Sequence, residues 1–309
     1  MRILVIGGTR FIGRAAVGAL LRRGHDVALL HRGHAPSPFG TEVRETFGDR
    51  NDEALVRRTM EDVRPDVVLD MVALGENDAR IVARSAARIG AYVLLVSSID
   101  VYQVFDILNG RAPAPPLVGP MTEQAPLRSR MYPYRDAEGM PDVMRTYDKI
   151  LAERALQEEC GEACSALRLP MVYGPWDSQH RLAPLLKQME SDILHMSGRL
   201  ARWRAARGYV HDIAHLMVMM LEQRTSGIYH YAEQPVPDEL TFVRRVAAAI
   251  GWDGEIVVDE HMDVDQGFVP EQHLDIDSTA VRIVTGFHEV ARADEAIRTT
   301  VEWERGLSS

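Results

Sequence analysis

The first half of the chain alternates short apolar runs with segments of helical spacing. Residues 3–6 are apolar and rich in β-branched side chains, and residues 11–23 show helical spacing. A short apolar run bounded by glycines is typical of a strand buried on both faces. Repeated alternation of this kind predicts an α/β fold with a Rossmann-like, doubly wound parallel sheet. The later strands are predicted at residues 25–30, 45–49, 67–70, 92–96, 165–169 and 227–232, and the later helices at 51–62, 78–90, 147–159, 209–223 and 240–250.

The connection after the first predicted strand is a glycine turn. A strand, a tight glycine turn and a helix together form a phosphate-binding motif. The first helical amides have no partner inside the helix, and the helix dipole adds positive charge at that end. Glycine also lets the backbone approach a pyrophosphate without a Cβ in the way. We therefore expect a dinucleotide cofactor here, bound by Gly7, Thr9, Arg10, Phe11, Ile12 and Gly13.

The end of the second predicted strand indicates which dinucleotide binds. His31, Arg32 and Gly33 lie about 20 residues after Gly13, where a Rossmann unit places the side chain that meets the adenosine ribose. An acidic residue there would accept a hydrogen bond from the 2′-hydroxyl of NAD, and these three residues include none. Arg32, together with Arg10, would instead favour a 2′-phosphate. The sequence thus favours NADP over NAD, unless Arg32 is only a solvated loop charge.

Several polar or small residues follow the other predicted strands. Asp49, Ala73 and Ser98 fall at the carboxyl ends, where ligands of doubly wound sheets bind. The segment that follows, residues 103–144, contains seven prolines and shows no clear period. A loop of this length in a compact domain is usually functional, so we expect it to cover a substrate. No linker marks a domain boundary, and we expect a dinucleotide-binding domain (1–172, joined by 209–235) interleaved with a smaller C-terminal substrate lobe (173–208 and 236–309).

Composition narrows the class of protein. The net charge of −10 and the pI near 5.6 argue against a nucleic-acid-binding surface. No apolar run reaches the roughly 18 residues that span a bilayer, and the chain enters a strand without the basic segment of a signal peptide. Cys160 and Cys164 have no ligand partners at metal-binding spacing. We expect a cytoplasmic protein with two reduced thiols, no metal site and no membrane contact.

An ordered set of segments resembles the extended short-chain dehydrogenase/reductases, a superfamily of NAD(P)-dependent sugar epimerases and dehydratases. Residues 5–13, VIGGTRFIG, look like the glycine motif, with Gly7 and Gly13 as its first and third glycines. Arg10 replaces the second glycine, as in a subgroup that includes chloroplast stem-loop RNA-binding proteins. The other segments similar to family motifs are Gly48-Asp49, Ser97 to Tyr102, Arg168 to Pro170, Val172 to Pro175, Arg207 to Asp212 and Thr300 to Trp303.

The resemblance implies roles for individual residues. Ser98 falls in the catalytic serine position, Lys149 looks like the catalytic lysine, and Asp100 lies where sugar dehydratases carry an acid. A tyrosine acts as the base in this superfamily, and a nearby lysine ammonium lowers the pKa of its phenol. The implied cofactor contacts beyond the glycine turn and Arg32 are Asp49, at the adenine, and Ala73, Ser97, Lys149 and Pro170.

One position departs from the family pattern. The catalytic tyrosine usually stands four residues before the lysine, on the same face of one helix, but here that residue is Arg145. Tyr147 lies two residues before Lys149, about 200° away around an ideal helix. It serves as the base only if the helix begins near residue 148 and Tyr147 precedes it. We take Tyr147 as the candidate, with Tyr132 and Tyr134 in the long loop as alternatives.

The leading hypothesis is hydride transfer at a carbinol or carbonyl carbon of a hydroxylated small molecule, with a nucleotide sugar as the first guess. The resemblance implies a homodimer, and it implies that Trp176, Arg181 and Arg204 meet an anionic substrate such as a nucleotide diphosphate. Reduction, epimerisation and dehydration all stay open. Two other hypotheses are a non-catalytic cofactor-binding protein, which Arg145 favours, and an RNA-associated relative of the stem-loop binders, against which the net charge weighs.

Overall fold

The central feature is one large parallel sheet. The structure is a computed structural model that describes residues 1–34, 37–264 and 267–307. Within these ranges the strands are β1 (Arg2–Ile6), β2 (Asp26–His31), β3 (Val43–Phe47), β4 (Val67–Asp70), β5 (Tyr92–Ser98), β6 (Cys164–Leu169), β7 (Met171–Tyr173), β8 (Ile193–Ser197), β9 (Arg207–Tyr209), β10 (Gly227–His230) and β11 (Glu255–Asp259). Seven of them form the sheet in the order β3-β2-β1-β4-β5-β6-β10, and β7 with β9 and β8 with β11 form two small parallel pairs. The predicted Rossmann-like α/β fold is confirmed, since this order extends the doubly wound order by one strand.

Helices cover both faces of the sheet. They are α1 (Phe11–Arg22), α2 (Glu53–Val63), α3 (Glu76–Ala87), α4 (Gln103–Leu108), α5 (Lys149–Cys160), α6 (Ala183–Gln188), α7 (Gly198–Ala201), α8 (Val210–Gln223), α9 (Glu239–Ile250), α10 (Thr279–Thr285) and α11 (Ala293–Leu307). Alternate residues of β1 show the layering. Ile3 and Val5 pack into the core under α1 and α8, whereas Leu4 and Ile6 pack into the core under α2, α3 and α5. No helix within the described ranges is long and apolar enough to cross a membrane.

Two boundaries differ from the prediction in ways that shape the site. The helix predicted at 147–159 begins at Lys149, because the Asp148 side chain accepts hydrogen bonds from the amides of Ile150 and Leu151 and so caps it. The segment 103–144, predicted as a loop, starts with the short helix α4. Val104 on α4 packs into a core cluster shared with the second half of the chain. Six residues are too few to show a helical period, which explains the wrong prediction.

Candidate active site

The glycine turn after β1 packs tightly against the first turn of α1. Gly7 and Gly8 have φ values of +97° and +101°, which favour glycine because it lacks a Cβ. A Cβ added at Gly13 would lie 2.7 Å from Cα of Gly8, so only glycine allows this approach. The Gly7 amide donates to the carbonyl oxygen of Leu30 on β2 at 2.9 Å. The turn is therefore fixed at the carboxyl edge of the sheet.

Helix α1 begins without a capping side chain. Helices α2, α5 and α9 each start at an aspartate cap, whereas Arg10 makes no cap for α1 and the first turn holds no acidic residue. The amides of Phe11, Ile12 and Gly13 have no acceptor in the described part of the chain. With the positive end of the helix dipole, these amides fit the diphosphate of a dinucleotide. Thr9 is half-buried beside them.

The position predicted for the adenosine ribose has a cation and, unexpectedly, a carboxylate. Arg32 lies exposed just after β2, and Asp49 lies exposed just after β3. Glu45 on β3 accepts a hydrogen bond from Nε2 of His31 at 2.8 Å. The sequence shows no acid at the end of β2, but the parallel pairing of Leu29 with Glu45 brings one from the neighbouring strand. Sequence reasoning missed it because strand register is not visible in the sequence.

A buried ion pair that sequence reasoning missed holds the carboxyl end of β4. Arg50 contacts Asp70 through two bonds, from Nη1 at 2.5 Å and from Nη2 at 2.8 Å, and both side chains are buried. Nη2 also donates to the carbonyl oxygen of Asp78 on α3 at 2.5 Å. The pair ties the segment after β3 to β4 and α3, next to the fully buried Ala73.

Tyr147 and Lys149 converge although only one residue separates them. Tyr147 has extended backbone and precedes the cap residue Asp148, so it lies outside the helix, which is the condition that the sequence set for its role. Lys149 Nζ donates to the carbonyl oxygens of Ala73 at 2.5 Å and Val96 at 2.8 Å, and lies 5.9 Å from the Tyr147 ring centre. Because α5 begins only at Lys149, Tyr147 lies outside the helix and its ring lies close to the lysine ammonium.

Asp100 and Ser98 complete this cluster. The Tyr147 hydroxyl donates to Asp100 Oδ2 at 2.7 Å, and the Asp100 amide donates to Ser98 Oγ at 3.2 Å. The structure therefore brings together all four predicted catalytic residues. Pro170 is buried at the end of β6, the strand next to β5.

The alternative tyrosines and Arg145 occupy different positions. Arg145 points away from Lys149 and contacts Asp142 and the carbonyl oxygen of Arg135. Tyr132 stacks under the Arg135 guanidinium at 3.7 Å. The Tyr134 ring lies 5.3 Å from that of Tyr147, so it borders the cluster. The substitution at 145 consequently does not remove the phenol from the site.

Burial and the Asp100 carboxylate set the electrostatics. Burial raises the pKa of Asp100, and it lowers the pKa of Lys149. Burial and then the negative charge of Asp100 hold the pKa of Tyr147 well above 10. Burial raises the pKa of Tyr134 to about 12. The resemblance implies that a lysine lowers the pKa of the catalytic tyrosine. In this structure, burial and the Asp100 carboxylate outweigh that effect and raise the pKa of Tyr147.

A second buried ion pair fixes the start of α5. Arg128 and Asp148 are both almost fully buried, and Arg128 Nη2 lies 3.0 Å from Asp148 Oδ1. Arg128 also donates from Nε to the carbonyl oxygen of Asp100 at 3.2 Å and from Nη1 to that of Arg130. Asp148 Oδ2 accepts from the Tyr132 amide at 2.7 Å. This pair links the long loop, Asp100 and α5.

Behind the site, a buried polar network joins α5 to the sheet. The Ser97 hydroxyl donates to Glu153 Oε1 at 2.5 Å, so this predicted cofactor residue turns its side chain toward α5. Arg168 pairs with Glu153 at 2.7 Å and donates to the Tyr102 hydroxyl at 2.9 Å. Tyr102 in turn bonds His230 Nδ1 at 2.7 Å. A cofactor contact by Ser97 would then have to use its backbone.

The residues expected to meet an anionic substrate are spread over the second half of the chain. Trp176 is 47% exposed, and the Arg14 guanidinium lies 3.7 Å from its ring centre. Arg181 pairs with the buried Asp177 at 2.8 Å, and Arg204 donates to the carbonyl oxygen of Val236. Both arginines therefore already have polar partners within the protein. A cavity of about 350 Å³ lies against the ends of β8 and α7.

No group of three or more potential metal ligands occurs in the residues that the structure describes. The two cysteines are free thiols.

Comparison with curated proteins gives two partial matches. Chloroplast stem-loop binding protein of 41 kDa b from Arabidopsis thaliana is 25% identical over 187 residues, which is 56% of this chain and 43% of that protein. The 2′-dehydrokanamycin reductase of Streptomyces kanamyceticus is 30% identical over 99 residues, 32% of this chain and 28% of that protein. The chain spans less than half the length of these relatives.

Comparison with solved structures supports the fold over the whole length. A UDP-glucose 4-epimerase from Thermotoga maritima, solved with UDP-glucose, has a TM-score of 0.74 at 17% identity and full coverage of both chains. A Thermus thermophilus UDP-glucose 4-epimerase in complex with NAD has a TM-score of 0.70 at 20% identity, covering 99% of each chain.

The family model completes the comparison. Residues 3–231 match the model of the NAD dependent epimerase/dehydratase family. The family model and the NAD-bound structural neighbour do not favour the two alternative hypotheses, a non-catalytic protein and an RNA-associated one. Because the match covers most of the 309 residues, the chain belongs to the NAD-dependent epimerase/dehydratase family.

Proposed function

We propose that the protein is an NAD(P)-dependent oxidoreductase, epimerase or dehydratase, with NADP as the favoured cofactor. Hydride transfer takes place at a hydroxyl-bearing or carbonyl carbon of a small hydroxylated molecule, with a nucleotide sugar as the first candidate. One observation carries the proposal. Tyr147 and Lys149 converge with Ser98 at the end of β5, on the sheet edge where the glycine turn leaves helical amides free. The membership of an enzyme family and the NAD-bound structural neighbour support a dinucleotide cofactor, whereas the preference for NADP rests on Arg10 and Arg32.

The fit of the cofactor rests on the chain's own groups. The amides at the start of α1 would hold the diphosphate, and Lys149 and the backbone at Ala73 border the nicotinamide end. The bound cofactor supplies the hydride acceptor or donor. The full set proposed to hold it is Gly7, Thr9, Arg10, Phe11, Ile12, Gly13, Arg32, Asp49, Ala73, Ser97, Lys149 and Pro170.

The contacts around Tyr147 support the catalytic roles that we propose. Ser98, half-buried at the end of β5, orients the substrate oxygen. Tyr147 exchanges a proton with that oxygen, because its phenol is the group beside both Ser98 and Lys149. Lys149 keeps the site positive where an alkoxide develops. In a dehydration, Asp100 would act as the acid.

The substrate proposal uses the second half of the chain. The cavity of about 350 Å³ beside β8 and α7 is lined by none of the four proposed catalytic residues, so it is not assigned to the substrate. A structural neighbour was solved with UDP-glucose, which supports a nucleotide sugar. We assign substrate binding to residues 173–208 and 236–309, and dinucleotide binding to 1–172 with 209–235. The homodimer and the cytoplasmic location also stay predictions.

The test has a binding arm and a turnover arm. We expect NADPH to bind at least tenfold more tightly than NADH in a fluorescence titration, because Arg32 and Arg10 meet the 2′-phosphate; Arg32→Ala should remove most of this ratio. UDP-glucose with NADP⁺ and a panel of carbonyl compounds with NADPH are then assayed at 340 nm for net oxidation or reduction. The products from UDP-glucose are also separated by chromatography, because an epimerisation or dehydration restores the cofactor and leaves no net change at 340 nm. Tighter binding of NADH would instead indicate NAD as the cofactor, with the hydroxyl of its adenosine ribose bonded to Glu45. Absence of binding to either cofactor would refute the proposal.

A further inference from the structure

The two carboxylate oxygens of Asp100 have different surroundings. Oδ2 accepts the hydrogen bond from the Tyr147 hydroxyl at 2.7 Å. Oδ1 is buried and has no hydrogen-bond partner within the described ranges. The residue is only 7% exposed. A buried carboxylate oxygen without a partner is costly, so this one points to a water or ligand that completes it.

A cavity lined by both polar and apolar side chains provides the place for such water. It has a volume of about 140 Å³ and lies against Asp100, between α4 and the long loop. Its polar lining includes Asp106, Asn109, Arg111 and Tyr134, and Phe105 and Pro133 are its apolar members. One water needs roughly 10–15 Å³ and two to four polar partners. The cavity therefore has both the room and the polar groups for several waters.

Within the described residues, the Lys149 ammonium makes no hydrogen bond to the Tyr147 hydroxyl. Its ammonium donates to the carbonyl oxygens of Ala73 and Val96, which uses two of its three N–H bonds. The hydroxyl of Tyr147 instead donates to Asp100, which accepts. The proton of the phenol thus already points at a carboxylate.

We propose that Asp100 is the proton partner of Tyr147 and that water in this cavity connects Asp100 with solvent. The proposal rests on the proposed function, in which Tyr147 exchanges a proton with the substrate. In an oxidation, the substrate O–H bond breaks and its proton bonds to Tyr147 Oη, while the Tyr147 proton passes to Asp100 Oδ2. The hydride leaves the carbon with both bonding electrons and is accepted by NADP⁺, the named oxidant. Asp100 then gives its proton to water, and a reduction reverses each transfer.

This arrangement distinguishes between the reactions that the sequence left open. A net oxidation or reduction releases or takes up one proton in each turnover, whereas an epimerisation returns the proton to the same oxygen. A water-filled outlet behind Asp100 serves the first kind. Asp100 is a positioning and relay residue here, because it acts on the substrate through Tyr147. The titratable and charged groups that face the pair are Ser98 on β5, Asp106 on α4, Arg111, Arg128 and Tyr134 in the long loop, and Lys149 on α5.

The test follows the two side chains directly and needs no substrate. The full chain, labelled at the tyrosine Cζ and aspartate Cγ atoms, is titrated by carbon NMR as wild type and as D100N, Y147F, D106N and N109F. D100N should lower the Tyr147 midpoint by about 1 pH unit or more, because a carboxylate 2.7 Å away is lost. Y147F should raise the Asp100 midpoint, because the carboxylate loses a hydrogen-bond donor. N109F, which fills the cavity, should raise it as well.

D106N is the matched control, since it removes a carboxylate from the same cavity without a bond to Tyr147. It should leave the Tyr147 midpoint unchanged within error. The relay is overturned if D100N leaves that midpoint unchanged, and the role of the cavity is overturned if N109F leaves Asp100 unchanged.

Measurements of turnover provide a second test of the relay. On a substrate that the wild type turns over, D100N should reduce kcat about 100-fold or more and alter its pH profile, with NADPH affinity retained. A wild-type pH profile in D100N overturns the relay. A large loss with an unaltered Tyr147 titration would assign Asp100 to the substrate itself, which also overturns it. If the wild type binds no cofactor or turns nothing over, the proposed function fails, and the titration alone decides whether the pair shares its proton.

Discussion

Breaking the buried ion pair between Arg128 and Asp148 should strongly destabilise the folded protein. Arg128→Gln removes the partner of an aspartate that is fully buried. Breaking a buried pair in this way costs about 3–5 kcal/mol, because the remaining charge stays buried without compensation. Asp148 keeps three backbone donors, from Tyr132, Ile150 and Leu151, which places the loss near the lower end. The carbonyl oxygen of Asp100 also loses a donor, which adds about 1 kcal/mol or more.

Urea unfolding measures this loss. We expect the free energy of unfolding of R128Q to fall by about 3–5 kcal/mol, with an unchanged denaturant slope. The control is Arg44→Gln, which breaks the exposed pair with Asp26 at 3.2 Å and should cost about 1 kcal/mol at most. In a cycle with Asp148→Asn, the two losses should be strongly non-additive. A loss in R128Q no larger than that in R44Q, or additive losses in the cycle, would refute the reasoning.

Three further predictions concern the turn, the base and pH. Gly13→Ala should abolish NADPH binding, because the added Cβ would lie 2.7 Å from the Cα atom of Gly8. The control Gly18→Ala should bind NADPH normally, because the nearest atom to its Cβ is the flexible end of the Arg22 side chain at 3.3 Å. Equal binding by the two variants would contradict this prediction. Tyr147→Phe should lower kcat at least about 100-fold while Arg145→Ala stays within a few-fold of wild type, and the reverse order would return the base to another residue. Burial raises the pKa of Asp212 to about 6, so the stability of the wild type relative to Asp212→Asn should fall by up to about 3 kcal/mol as the pH rises from 4 to 7. Urea unfolding at several pH values measures it, and a difference independent of pH would contradict the expected burial cost.

The sheet could be predicted because its information is local. Residues such as Ile3 and Val5 form short β-branched runs that are buried on both faces, and a glycine follows within two residues of the ends of β1, β2 and β3. The start of α5 also had a local signal. Asp148 is a residue type favoured as a helix cap, and reading it so would have placed Tyr147 before the helix.

The remaining parts of the site depend on tertiary contacts. Arg50 and Asp70 are 20 residues apart, as are Arg128 and Asp148, and no periodic pattern links the members of either pair. Glu45 reaches the end of β2 through strand register. Buried charge partners of this kind are set by the packed fold, which the hydrophobic pattern alone does not specify.

The free amides at the start of α1 are expected to bind the diphosphate of a dinucleotide. A crystal structure of the protein with NADPH tests this most directly. We expect phosphate oxygens within hydrogen-bond distance of the amides of Phe11 and Ile12, with the nicotinamide beside Tyr147 and Lys149. A cofactor bound elsewhere, with the turn from Gly7 to Gly13 making no contact to it, would show that these amides are not the dinucleotide site.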